Sequence, residues 1–231
     1  MNRLAKMLVI ATVALVAAMY SASANAAALV TGLSFPGTSQ TSGGFSVGSG
    51  FGFTVSPSLN GAQVTALGFY YNIGDTGVRN VALLADNNDR DPDTGKSTAQ
   101  VVASIAVPMT TSATAGFQYA TLSSPVALDS TKSYWLFGEL KDGEPFWVAG
   151  NVLGQSLYSG FTQNGSAASY EGPSYFSTLP ATGSTVTDVV YFGDSTYTYG
   201  PVDLLFAVPE PASLSLLAVG AVAMLRRRVR A

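Results

Sequence analysis

The chain has 231 residues, 47% of them hydrophobic and only 11% charged, with a formal net charge of −3. Such a composition excludes a disordered acidic chain and suits one packed domain with small additions. Cysteine and histidine are absent, which excludes disulfides, thiol nucleophiles and thiolate metal sites, and removes the commonest general base and transition-metal ligand.

The first element is an export leader. "MNRLAKMLVIATVALVAAMYSASANAAA" places Arg3 and Lys6 before an apolar run, Met7 to Met19, and small residues follow. That order is the one signal peptidase reads, and Ala24-Asn25-Ala26 is an A-x-A site with the cut between Ala26 and Ala27. Ala22-Ser23-Ala24 offers a second site slightly earlier. Residues 1–26 are therefore expected to be a leader with a helical apolar run, and the mature chain to fold outside the cytoplasm.

Residues 27–207 read as short strands. Phe51, Phe53 and Val55 alternate toward Pro57, and Asn60-Gly61 makes a turn. In "AQVTALGFYYN" strict alternation puts Val64, Ala66, Gly68 and Tyr70 on one side and Thr65, Leu67, Phe69 and Tyr71 on the other. Further strands are expected at "VRNVALLAD", "AQVVASIAVP", "FQYATLS", "SPVALDS", "SYWLFGELK", "EPFWVAG", "VTDVVYFGD" and "PVDLLFAV". The glycines of "SGGFSVGSGFG" do not lie between a strand and a helix, so they read as turns rather than a phosphate cradle. With 24 glycines, 11 prolines and no helical period in the body, the expectation is an all-β fold, an antiparallel β-sandwich of jelly-roll type.

Two stretches invite a chemical reading. The loop "LADNNDRDPDTGK" spaces Asp89, Asp91 and Asp93 two apart, and carboxylates on a turning loop can converge on calcium. Counting from Asp89, Thr94 and Gln100 stand where an EF-hand needs Gly and Glu, so the pattern is not an EF-hand, and a solvated hairpin loop whose Asp, Asn, Pro and Gly serve turn geometry is the favoured reading over calcium. Calcium is the only cofactor the residues suggest. Near the Asp142-Gly143 turn, Trp147 is a candidate for stacking on a sugar ring. In "SYWLFGE" both faces are apolar, so Trp135 is expected in a core and the strand between two packed layers.

An enzyme would have to work with carboxylates. Glu139, Asp142, Glu144, Glu171, Asp188 and Asp194 are available for a glycoside-hydrolase pair, but no spacing marks two of them as partners. Nucleic acid is excluded as a partner. From Ala27 to Val208 five cations face 13 acids, a net of about −8, and that sign repels phosphate.

The segment "VTALGFYYNIGDTGVRNVALLAD", followed by "GFQYATLSSPVALDSTKSYWLFGEL", is similar to a bacterial β-sandwich family of uncharacterised function found beside surface and carbohydrate-active modules. The shared residues lie mainly at core and turn positions, so the resemblance implies fold rather than activity. That family has a tighter turn where this chain carries its acidic loop.

The last element is the tail, "VPEPASLSLLAVGAVAMLRRRVRA". The 14 uncharged residues from Ala212 to Leu225 would span about 21 Å as a helix at ~1.5 Å per residue, short of a ~30 Å hydrocarbon core. Snorkelling by Arg226, Arg227, Arg228 and Arg230 extends that reach, and the positive-inside rule keeps these arginines in the cytoplasm. Pro209 and Pro211 hold their segment extended and stop the tail helix from running back into the body. Pro209-Glu210-Pro211, the apolar segment and the arginine cluster resemble the PEP-CTERM sorting signal of Gram-negative bacteria. The resemblance implies processing by an exosortase, an integral-membrane cysteine protease, in a host that also makes exopolysaccharide.

Three segments result: a leader (1–26), a β-sandwich body (27–207) and a sorting tail with a short transmembrane helix (208–231). The expected protein is not an enzyme. It meets signal peptidase and exosortase, passes through an inner-membrane-anchored intermediate, and reaches the cell surface or extracellular matrix. There it serves a structural or adhesive role with exopolysaccharide. A carbohydrate-binding module and a carboxylate-dependent glycoside hydrolase are the alternatives.

Overall fold

The structure, a computed structural model, describes residues 26–31, 38–41, 47–71, 76–110, 116–140, 145–150, 156–163, 168–170, 180–191, 197–199 and 202–208. All of them fall in one compact unit, Ala26–Val208. The helices expected in the leader and tail fall outside the described residues. No helix among the described residues is long and apolar enough to cross a membrane.

In chain order the strands are β1 (Ala27–Ala28), β2 (Val30–Thr31), β3 (Thr38–Thr41), β4 (Val47–Val55), β5 (Gln63–Tyr71), β6 (Val78–Asp86), β7 (Lys96–Pro108) and β8 (Gly116–Ala127). They continue as β9 (Ser133–Leu140), β10 (Pro145–Gly150), β11 (Ser156–Leu157), β12 (Phe161–Gln163), β13 (Ala168–Tyr170), β14 (Thr185–Tyr191), β15 (Tyr197–Tyr199) and β16 (Val202–Ala207). A 3-10 turn at Pro57–Leu59 is the only helical element among the described residues.

Two antiparallel sheets carry the core. A four-stranded sheet runs β1-β16-β5-β8, and a seven-stranded one runs β12-β4-β13-β14-β7-β6-β9. Phe51, Phe53, Val81, Leu83, Tyr134 and Leu136 of the larger sheet share one buried cluster with Val64, Leu67, Phe69, Val202, Leu204 and Phe206 of the smaller. Apolar burial of this kind is the main stabilising term. Smaller ladders join β3, β10 and β15, and β2 with β11.

The larger sheet also closes on itself. One edge of β4 pairs with β9, while its Gly48–Gly50 stretch pairs with β13, which pairs with β14. The ladder returns through β7 and β6 to β9. Inside this ring lies a second buried cluster of Ala82, Leu84, Ala99, Val101, Trp135, Phe137, Val186 and Val189. β6 and β9 are therefore apolar on both faces. Trp135 is 3% exposed and its ring stacks on Phe137 at 6.3 Å. The core position expected for Trp135 is the one found.

Three expectations are corrected. Gly48, Gly50 and Gly52 lie within strand β4 rather than in turns. With Phe51 and Phe53 directed to the shared core, the opposite face at Gly50 and Gly52 has no side chains, and these residues pair with Phe137 and Trp135. A side chain at Gly50 would collide with the Leu136 carbonyl. Secondly, β5 does not alternate strictly. A register shift between Val64 and Ala66 puts Val64 in the same core as Leu67 and Phe69. Thirdly, "FQYATLS" and "SPVALDS" contribute to one strand, β8, with that same irregularity in place of the expected break.

Candidate functional site

The acidic loop after β6 turns its carboxylates on its own backbone. The Asp89 carboxylate accepts the Thr98 amide N–H at 2.8 Å and the Thr98 hydroxyl at 2.5 Å. Asp91 accepts the amides of Asp93 (2.8 Å) and Thr94 (3.3 Å). Asp86 accepts that of Asn88 at 3.0 Å, where Asn88 turns the chain with a φ of 55°. These hydrogen bonds hold Asp89 and Asp91 below the usual carboxylate range. Asp93 is exposed and takes part through its amide. Among the described residues, no group of three acidic side chains is arranged to hold a metal ion.

Trp147 lies in β10 with its backbone paired to Ser39 of β3, and the position of its ring lies outside the described residues. Of the acids considered for catalysis, Glu139 is 6% exposed and accepts the Asn80 amide at 3.3 Å. Asp188 is in β14 with its side chain outside the described residues, as are Asp142, Glu144, Glu171 and Asp194 entirely. Arg79 is buried at the same end of the β6–β9 ladder, its guanidinium 5.8 Å from the centre of the Phe69 ring.

The most developed polar constellation was not singled out in the sequence. Asp203, Gly68 and Tyr119 occupy one row across β16, β5 and β8. Val202, Leu204 and Phe206 point into the shared core, so Asp203 stands on the opposite face, yet it is 0% exposed. Gly68 has no side chain, and the Tyr119 ring crosses it; a Cβ there would come within 2.5 Å of that ring. The Tyr119 hydroxyl donates to Asp203 Oδ2 at 2.6 Å, while Oδ1 accepts the amides of Val30 (2.9 Å) and Leu204 (2.8 Å).

Burial pushes Asp203 up to about 6, against the opposing effect of its hydrogen bonds from Tyr119 and the backbone. Burial and the adjacent Asp203 charge both push the Tyr119 phenol up. A lone Asp inside the apolar strand "VDLLFA" was the available clue. The three contacts to Asp203 come from β8, β16 and the N-terminal segment, so the carboxylate joins elements distant in sequence. Tyr70 and Phe117 continue the same face, packed edge to face at 5.4 Å and 85°, a different arrangement from a flat sugar-stacking platform.

Ala27 and Ala28 pair with Phe206 and Leu205. The mature N-terminus expected from the leader therefore lies beside the strand that leads into the tail. Ala26 is exposed and Ala27 half-buried. Pro209, Glu210, Pro211, Arg226, Arg227, Arg228 and Arg230 lie outside the described residues.

No curated protein and no solved structure matches the chain, so the likeness of the body to the uncharacterised β-sandwich family gains no support. The tail is different. Its motif implies sorting by an exosortase, with export in a Gram-negative bacterium, a membrane-anchored intermediate and a final place at the surface or beyond the cell. Residues 207–229 match the PEP-CTERM protein-sorting motif, and the chain carries that sorting signal at its C-terminal end.

Proposed function

We propose that this chain is a non-enzymatic structural or adhesive protein of the cell surface or extracellular matrix, associated with exopolysaccharide. Its leader is removed by signal peptidase between Ala26 and Ala27, and its tail is a short membrane helix cut by the exosortase. The body is a β-sandwich of broadly jelly-roll type. The observation that carries the reading is the PEP-CTERM match at residues 207–229. The use of buried Asp203 to join three parts of the fold supports a structural rather than a catalytic role for that acid.

The test is to remove the gene from the host and follow the protein and its polysaccharide. The expected outcome is a body that co-fractionates with exopolysaccharide and a deletion strain with a weakened matrix. Release of reducing sugar from that polysaccharide by the purified protein would instead favour the carboxylate-dependent hydrolase. Saturable binding of defined oligosaccharides that Trp147→Ala abolishes would favour the carbohydrate-binding module.

A further inference from the structure

The N-terminal residues of the body are built into it more deeply than a free end requires. β1 pairs Ala27 with Phe206 and Ala28 with Leu205, and β2 pairs Val30 with Leu157 and Thr31 with Ser156. Between them the Leu29 amide donates to the Leu204 carbonyl at 3.0 Å, and the Leu29 carbonyl accepts the Tyr158 amide at 2.8 Å. Leu29 is 0% and Val30 6% exposed. The Val30 amide donates to the buried Asp203 carboxylate at 2.9 Å. Residues 27–31 thus form a strap fastened to both β16 and β11.

A protease takes its substrate in an extended, accessible form, and a folded segment is cut through its opened state. The leader bond joins Ala26, which is exposed, to Ala27, the first residue of the strap. Engaging residues on both sides of that bond requires β1 to leave β16. The partner strand β16 lies near the other end of the body, at Val202–Ala207. In a chain exported from its N-terminus, the junction therefore emerges long before the strand that covers it.

We propose that leader removal must precede closure of β1 on β16, because the closed strap makes the Ala26–Ala27 bond resistant to signal peptidase. The inference rests on the leader reading given above. The step is a hydrolysis: water splits the Ala26–Ala27 amide, Ala26 leaves with the new carboxyl group, and Ala27 keeps the amine. The released Ala27 then pairs with Phe206. The exosortase accordingly receives a body whose last strand is already clasped by its own new N-terminus.

The test uses full-length precursor accumulated with a signal-peptidase inhibitor, purified in detergent and freed of the inhibitor. Purified signal peptidase is added, and cleavage is followed by intact mass. Three samples are compared: folded wild type, folded Val30→Pro, which lacks the amide that Asp203 holds, and wild type diluted from urea immediately before the enzyme. The expected result is cleavage of the folded wild type at least tenfold slower than of the urea-diluted chain, with Val30→Pro approaching the faster rate. If Val30→Pro fails to fold, the comparison of folded and urea-diluted wild type still decides. Equal rates for these two overturn the inference and leave the leader reading intact. No cleavage near Ala26 in the urea-diluted chain overturns both.

Discussion

Asp203 shows how one buried carboxylate can give a fold an unusual pH dependence. Its folded-state value of about 6 lies above the ordinary 3.8. Its contribution to stability is therefore complete below pH 3.8 and is lost as pH rises through about 6. The full effect is at most about 3 kcal/mol at ~1.4 kcal/mol per pH unit. Asp89, Asp91 and Asp129, whose carboxylate accepts the Thr131 amide at 2.9 Å and hydroxyl at 2.7 Å, act in the opposite sense. Their depressed values make their contributions present above the ordinary range and lost as pH falls through the lowered ones. Urea unfolding across a pH series is thus expected to show stability rising from pH 7 toward 5. In Asp203→Asn that rise is expected to disappear. Tyr119→Phe removes a hydrogen bond to a charged acceptor, at a cost of about 1.5–3 kcal/mol. Because the Tyr119 hydrogen bond lowers the Asp203 value, the same variant should also raise it, as read from the carboxyl carbon by NMR.

At the scale of single elements, the glycines of β4 and β5 are spacing devices. Gly50→Ala is expected to disrupt the β4–β9 ladder, because the added carbon meets the Leu136 backbone rather than a movable side chain. Overpacking of this kind costs about 1–3 kcal/mol or more, measurable as a lower urea midpoint. At Gly68 the added carbon meets the Tyr119 ring. Gly68→Ala should therefore expel that ring and abolish its hydrogen bond to Asp203, visible as a loss of Tyr119 shielding from solvent. The acidic loop is held by its own hydrogen bonds. Asp89→Ala should speed amide exchange at Thr98 while the global unfolding midpoint changes little, since the loop is exposed. Millimolar calcium should leave Tm unchanged; a rise abolished by removing Asp89, Asp91 and Asp93 would establish the metal site instead.

At the scale of the whole molecule, the ends of the body converge. Ala27 opposes Phe206, and the sorting motif begins at residue 207. Sorting is testable by intact mass of the protein from its native envelope, with and without the host exosortase. The expected outcome is loss of the residues beyond the Pro-Glu-Pro region only where the exosortase is present. A chain ending at Ala231 in both strains would make the tail a plain membrane anchor.

The tail motif was legible because a protease reads a short extended segment, so residue types in order carry the information. The all-β class was legible too, because alternation and turn residues act over a few positions. In "SYWLFGE", apolar residues on both faces correctly indicated burial on both sides. Alternation could not reveal the register shifts, since a bulge reverses the facing of every residue beyond it. It also could not reveal that β4 needs glycine because β9 lies against it. Asp203 was one acid among 14 in the sequence. Only pairing across β8, β5, β16 and the N-terminal strap brought it to Tyr119 and Val30, because its partners lie 84 and 173 residues away along the chain. Local preferences determined the strands; long-range pairing decided which residues meet.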